Sequence, residues 1–242
     1  MQEFNWMKSS WRVKSIGPTL PSTYVDNRIP SDSHYGFNLH TLDSQPYLNW
    51  LTSKPHASVI YVSFGSMASL SVDQTKELAS ALINTRYSFL WVVRASELAK
   101  LPENFVQETV GRGLVVTWCS QLDVLAHNAV GCFLTHCGWN STVEGITLGV
   151  PMVGMPQWTD QPTDAKYIED VWGIGVRVKV EDESGIVRSD ELERGIREVM
   201  EGERSKEIRR NVAKWKELAK GAVSVGGSSD KNIVEFIAEC CM

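Results

Sequence analysis

Residues 118–161 read WCSQLDVLAHNAVGCFLTHCGWNSTVEGITLGVPMVGMPQWTDQ, and two strand-to-helix units in series can be read within them. Gly131–Thr135 is a short apolar run of the buried-strand kind. It ends in His136-Cys137-Gly138-Trp139-Asn140-Ser141-Thr142, after which an apolar-periodic segment begins. Asn140 or Ser141 is a good N-cap, so a helix is expected to open here. The first turn of a helix carries unpaired N–H groups and the positive end of the dipole, which together attract phosphate. Gly138 lets a ligand approach the backbone, and His136 adds a further donor. Glu144 falls one turn on, on the face of Asn140 and Ser141. A carboxylate there repels phosphate, yet it can accept both hydroxyls of a ribose, as the acidic residue of dinucleotide folds does.

The next strand, Pro151–Met155, runs into Pro156-Gln157-Trp158-Thr159-Asp160-Gln161. An acid beside an amide supplies both acceptors and donors, which a ring of sugar hydroxyls needs. Trp118 closes an earlier strand, Leu114–Thr117. Taken alone it reads as a core tryptophan; within the whole stretch its flat face suits a base, a contact worth roughly 1–3 kcal/mol. A core histidine is the alternative for His136 and a plain turn that for Gly65-Ser66, but the place of His136 just before a helix start favours phosphate contact, and Ser66 is favoured as a phosphate donor. Base, ribose, diphosphate and sugar each find a matching group, as a nucleotide-sugar site requires.

The stretch closely resembles the signature box of plant family-1 UDP-sugar glycosyltransferases, GT-B enzymes that glycosylate small molecules. His136–Ser141 (HCGWNS), Glu144 and the closing Asp160-Gln161 carry the likeness, and Phe64-Gly65-Ser66 with the downstream segments extends it over essentially the whole chain. In look it is closest to members that attach glucose to carboxylic acids such as salicylate. The resemblance implies a UDP-sugar site built from Ser66, Trp118, Cys119, Ser120, Gln121, His136, Gly138, Trp139, Asn140, Ser141, Glu144, Trp158, Thr159, Asp160 and Gln161. Trp118 would take the uracil and Glu144 the ribose. Ser66, His136, Asn140 and Ser141 would take the diphosphate, and Asp160 and Gln161 the sugar. Gln161 resembles the glucose-using members, and transfer would invert the anomeric carbon. With no DxD pair, neither metal nor cofactor is expected; charge on departing UDP would be offset by the helix N-terminus and His136.

The family's general base is a His near the start of an N-terminal acceptor domain, supported by an Asp also there. Neither has a counterpart in this chain, so no catalytic residue is carried over. A positioned base contributes about 10²–10⁴-fold, and weak binding of UDP-glucose with little transfer is expected of this chain alone. A non-enzymatic nucleotide-sugar-binding or interaction module is the alternative. In the family the C-terminal helix crosses back onto the first domain. The apolar face of Asn232–Cys240 (Ile233, Val234, Phe236, Ile237) is therefore expected to be exposed and to favour self-association.

Composition sets the outer bounds. At 242 residues and 43% hydrophobic, the chain can bury one substantial core with a short appendage. A formal charge of −5 and a pI near 5.6 argue against nucleic acid or an anionic membrane as partner. No apolar run approaches a membrane span and no signal peptide is visible. Five Cys without CxxC spacing fit reduced thiols, so a cytoplasmic protein is expected. Gly173-Ile-Gly175 lacks the third glycine of a dinucleotide fingerprint, and no GxSxG elbow is present.

The expected fold is α/β: the Rossmann-like, doubly wound parallel sheet of a GT-B C-terminal nucleotide-sugar domain. Residues 1–57 read as a remnant of the acceptor domain plus linker, 58–225 as the UDP-sugar domain, and 226–242 as a crossover helix. Trp11–Pro21 is extended, Asp26–Ser44 loop-like, and Gln45–Thr52 a short helix. Strands are expected at Ser58–Phe64, Ser88–Val93, Gly113–Thr117 and Gly175–Val180, besides the two quoted. Ser71-Val-Asp-Gln74 reads as a capping box opening a helix with Thr75, Leu78, Ala79 and Leu82 inward. Pro102–Val110 reads as helix-like or irregular; Gln121–His127 and Asp164–Trp172 read as helices. Ser189 is expected to cap a helix buried through Leu192, Ile196, Val199 and Met200. Another helix carries Ile208, Val212, Trp215 and Ala219. Gly226–Ser229 reads as a hinge.

Overall fold

A computed structural model describes residues 2–33, 35 and 45–241, so most of the loop read at Asp26–Ser44 lies outside the described residues. The chain divides into two compact units, one of residues 39–215 and one of residues 1–38 with 216–242. Along the chain come α1 (Gln2–Ser10), α2 (Gln45–Thr52), β1 (Val59–Ser63), α3 (Val72–Thr85), β2 (Ser88–Val92), α4 (Phe105–Glu108) and β3 (Gly113–Val116). Then follow α5 (Gln121–Ala126), β4 (Val130–Thr135), α6 (Trp139–Leu148), β5 (Met152–Gly154), α7 (Gln161–Lys166) and β6 (Gly175–Arg177), with α8 (Ser189–Met200), α9 (Ser205–Val223) and α10 (Ser228–Cys240) last.

The larger unit is a six-stranded sheet in the order β3-β2-β1-β4-β5-β6, parallel throughout. This is the doubly wound Rossmann order: the winding reverses between β1 and β4, which leaves a crevice beyond their carboxyl ends. Buried β-branched and aromatic residues make these strands central. Val59, Ile60, Tyr61 and Val62 of β1 and Cys132, Phe133 and Leu134 of β4 are essentially inaccessible. Tyr61 and Phe133, register partners, stack with ring centroids 5.0 Å apart. Each fully buried aliphatic or aromatic side chain stabilises by roughly 1.5–3 kcal/mol.

The sheet is covered by helices whose apolar faces match the predicted periodicity. Leu78, Ala79 and Leu82 of α3 are buried, as are Leu192, Ile196 and Val199 of α8, while Met200 is only partly covered. The expected capping box is half realised. Ser71 Oγ accepts from the Gln74 N–H at 3.1 Å, but the Gln74 amide does not turn back to Ser71. It pairs with both backbone groups of Val187, at 2.8 Å each, because this buried amide gains two partners there. Ser189 is not a cap: Arg188 is the N-cap and Ser189 the first helical residue, its N–H donating to Glu77 at 2.7 Å. The last strand stops at Arg177, short of Val180. Beyond Lys166 the helix widens into a π turn over Tyr167–Val171.

In the smaller unit, the hydroxyl of Ser229 bonds both backbone groups of Gly17, and Arg28 reaches Asp230 at 2.9 Å and the Val223 carbonyl at 2.8 Å. Ser228 and Ser229 belong to α10 itself, which leaves Gly226-Gly227 as the bend. Among the described residues no helix is long and apolar enough to cross a membrane.

Candidate nucleotide-sugar site

The carboxyl ends of β1, β4 and β5 release three loops onto one hollow of about 480 Å³. Gly65 and Ser66 line it from β1, His136, Gly138, Trp139, Asn140 and Ser141 from β4, and Trp158, Thr159 and Gln161 from β5. Met67 and Ala68, absent from the sequence reading, line it as well. The hollow therefore sits at the reversal point of the sheet.

Helix α6 opens onto it two or three residues earlier than expected. Gly138 is the N-cap, extended at φ −61° and ψ 145°, and no side chain caps the helix. Asn140 and Ser141 are thus first-turn residues, not caps. The reason is geometric: Cys137 takes a left-handed conformation (φ +62°), so the chain turns sharply and enters the helix immediately after Gly138. With no side-chain cap, the first turn keeps its N–H groups available for an anion. Strained positions of this kind concentrate at functional loops; Thr159 (φ +57°) is another.

His136 is held between two glycines. A Cβ on Gly138 would lie 2.5 Å from its Nε2, and one on Gly65 would lie 2.9 Å from both Nε2 and Cε1. The missing side chain at Gly138 thus makes room for the imidazole, a reason the sequence did not show. Burial lowers the His136 pKa, against the opposing pulls of a hydrogen bond with the Ser63 backbone and of the Asp160 charge. A neutral ring offers one N–H donor.

Gln121 joins the rest of the edge together. Its Nε2 donates to Ser141 Oγ at 2.9 Å and to Glu144 Oε2 at 2.7 Å, and its Oε1 accepts from the Tyr61 hydroxyl at 3.1 Å. Glu144 is buried, so this amide fixes where its carboxylate points. Ser120 caps α5 by accepting from the Asp123 N–H, and its own N–H donates to the Tyr47 hydroxyl at 3.0 Å. The Cys119 thiol is buried against the Tyr61 hydroxyl and pushed up to about 12 by desolvation. Trp118 is half-buried. Trp118, Cys119, Ser120, Gln121, Glu144 and Asp160 do not line the hollow itself; the bonds of Gln121 to Ser141 and Glu144 connect residues 118–121 and Glu144 to it, and Asp160 stands between Thr159 and Gln161, which do line it. Tyr61 and Tyr47 escaped the sequence reading because each looks like an ordinary core aromatic.

The third loop is braced by Gln161. Its buried Oε1 accepts from the N–H groups of Gln157 and Trp158 at 2.9 and 3.1 Å, which leaves the NH₂ as the group it can offer. Asp160 is exposed and accepts from the Thr159 hydroxyl at 2.7 Å.

Residues 32–220 match the family described as UDP-glucoronosyl and UDP-glucosyl transferase. The chain belongs to this family. Crocetin glucosyltransferase 2 of Crocus sativus is 69% identical over 229 residues, which are 95% of this chain and 50% of that protein. Os79 of O. sativa in complex with UDP superposes with a TM-score of 0.93 at 50% identity, covering 98% of this chain and 52% of Os79. Os79 in complex with U2F and trichothecene gives 0.88 at 47% identity, covering 98% and 51%. This UDP-glycosyltransferase family chain therefore spans about half the length of the relatives it matches, and its sheet is the Rossmann-like nucleotide-sugar fold of that family.

Proposed function

We propose that the chain forms the donor half of a UDP-glucose-dependent glucosyltransferase that passes glucose, with inversion, to a carboxylate or hydroxyl of a small molecule. The observation that carries this is the uncapped start of α6, which opens beside a neutral His136 onto the hollow that Trp158, Thr159 and Gln161 also line. The diphosphate sits against the first-turn N–H groups, His136 and Ser66; the ribose reaches the Glu144 carboxylate aimed by Gln121, and the uracil stacks on Trp118. As the sugar leaves, charge gathering on the diphosphate meets fixed N–H dipoles, which lowers the barrier without reorganisation. Glucose as the sugar rests on Asp160 and on the NH₂ of Gln161. The donor is held without a metal or cofactor, and five free thiols favour a reducing, cytoplasmic setting. The UDP and trichothecene of Os79, and the glucosyl transfer named for the crocus protein, belong to those proteins and support the reading.

No base for the acceptor is assigned to this chain, so binding with little or no transfer is expected of it alone. Calorimetry with UDP, UDP-glucose and UDP-galactose tests the site: UDP and UDP-glucose should bind and UDP-galactose more weakly. A chain that ignores UDP at millimolar concentration would refute the proposal, and robust transfer by the purified chain would refute its dependence on further residues.

A second reading, a self-associating binding module, is favoured by α10, where Ile233, Val234, Phe236 and Ile237 are 44–63% exposed. Sedimentation at several concentrations decides it: a monomer throughout removes it.

A further inference from the structure

The turn Gly65–Leu70 has two sides. Its front, at Ser66 and Met67, lines the hollow, and its back is gripped by a 3₁₀ segment, Ala95–Lys100, that follows β2. A 3₁₀ helix has three residues per turn, so Arg94, Glu97 and Lys100 stack along one edge. All three end on the turn. Arg94 Nη1 donates to the Ser66 carbonyl at 2.5 Å, and Nη2 to the Ala68 carbonyl at 2.6 Å. Lys100 donates to Ser69 Oγ at 2.7 Å, to the Leu70 carbonyl at 2.8 Å and to Glu97 at 2.6 Å, and Ser69 Oγ in turn donates to Glu97 at 2.8 Å. These side chains are only 19–25% exposed, so water competes weakly for the bonds. A covalent rule converts this grip into a function for the front. The peptide group is planar and trans, so a Ser66 carbonyl turned to the guanidinium sends the Met67 N–H the opposite way. Met67 is itself one of the residues that line the hollow.

The geometry points to Arg94 as the positioning residue that shapes the Ser66–Ala68 turn for an anionic phosphate, with Glu97 and Lys100 locking the far end. This rests on reading the hollow as the UDP site. Arg94 holds the two carbonyls with two nitrogens at the fixed spacing of one planar fork, whereas a lysine would bring a single nitrogen on a flexible stem.

The test compares the unaltered chain with Arg94→Ala and Arg94→Lys, with UDP and uridine as probes. Uridine lacks the diphosphate, so loss of general stability would weaken both ligands, whereas loss of the turn weakens UDP alone. Arg94→Ala should lower UDP affinity about tenfold, equivalent to about 1.4 kcal/mol, and leave uridine within about twofold. Arg94→Lys should recover only a small part of that loss. Equal losses for both ligands, no loss of UDP affinity, or full recovery with lysine would overturn the assignment. Amide exchange in the ligand-free protein tests the grip separately: Arg94→Ala should accelerate exchange over residues 66–70 and leave β4 unchanged, and unaltered exchange there would overturn it. An unaltered chain that binds neither probe would instead sink the donor-site reading, and the exchange result alone would then decide the grip.

Discussion

Gln121 Nε2 lies 2.7 Å from Glu144 Oε2, and the same amide takes the Tyr61 hydroxyl on its oxygen. One side chain thereby ties a core strand to a buried carboxylate. Hydrogen bonds to charged groups contribute about 1.5–3 kcal/mol. Gln121→Leu is therefore expected to weaken UDP and uridine alike by tenfold or more, since both carry the ribose. Gln121→Glu sets two carboxylates face to face and raises the pKa of one of them, so its uridine binding should improve as pH falls. Titration calorimetry of both variants at two pH values checks this; unchanged affinities would disprove the role given to Gln121.

Gly138→Ala tests the imidazole slot. Its φ of −61° suits alanine, so the backbone should tolerate the change, but the new Cβ would meet His136 Nε2 at 2.5 Å. The ring must move. UDP affinity should drop at least about tenfold, by the same 1.4 kcal/mol scale, while the denaturation midpoint shifts little. Gly65→Ala, at φ +70°, adds backbone strain to the clash and should lose stability too.

His136 provides a proton readout. Its pKa is lowered from 6.5 chiefly by burial, and a bound diphosphate adds negative charge that raises it. UDP binding near pH 6 should take up protons, an effect measurable by calorimetry in buffers of different ionisation enthalpy and abolished in His136→Gln. In the free protein the sign is the reverse of a partnered histidine. The unfolded chain binds the proton first as pH falls through about 6.5, so stability is present above that pH and declines below it.

Asp164 carries a stability cost. Its Oδ2 is buried without a hydrogen-bond partner, and desolvation, then the neighbouring Asp160, raise its pKa from 3.8 to about 6. Between those values the native state holds the proton that the unfolded chain releases, so stability falls as pH rises through about 4 to 6 and stays lost above. Asp164→Asn should raise the unfolding free energy by about 1 kcal/mol near pH 8, the scale of an unsatisfied buried group, and by clearly less near pH 5. Urea titrations at the two pH values decide; an equal gain at both would refute the charge origin.

Much of this molecule was legible before any coordinates. The runs at Ser58–Phe64 and Ser88–Val93 are rich in β-branched and aromatic residues, Gly131–Thr135 is a short apolar run of the buried-strand kind, and all three appear as strands within a residue or so of the expected bounds. The helix after His136 was legible as well, although its start was misread: a Ser or Asn at the right spacing signals a cap, whereas here a left-handed Cys137 moved the start to Gly138. The Gln74 amide was misread for a related reason, since local spacing suggests a local partner and the real one, Val187, lies far along the chain.

What the sequence settled by itself is what short-range pattern encodes: a parallel α/β sheet, and a set of polar groups that all fall just after strand ends. Which of those groups share a hollow was decided only in three dimensions. Ser66, His136 and Gln161 meet because the winding reverses between β1 and β4 and leaves the ends of neighbouring strands uncovered on one side. Glu144 is tied to that hollow through Gln121 and Ser141. Tyr61 behind Gln121, and Arg94 behind the Ser66 turn, could not be read from spacing, because their partners are atoms brought close by the packing of distant segments rather than by neighbours along the chain.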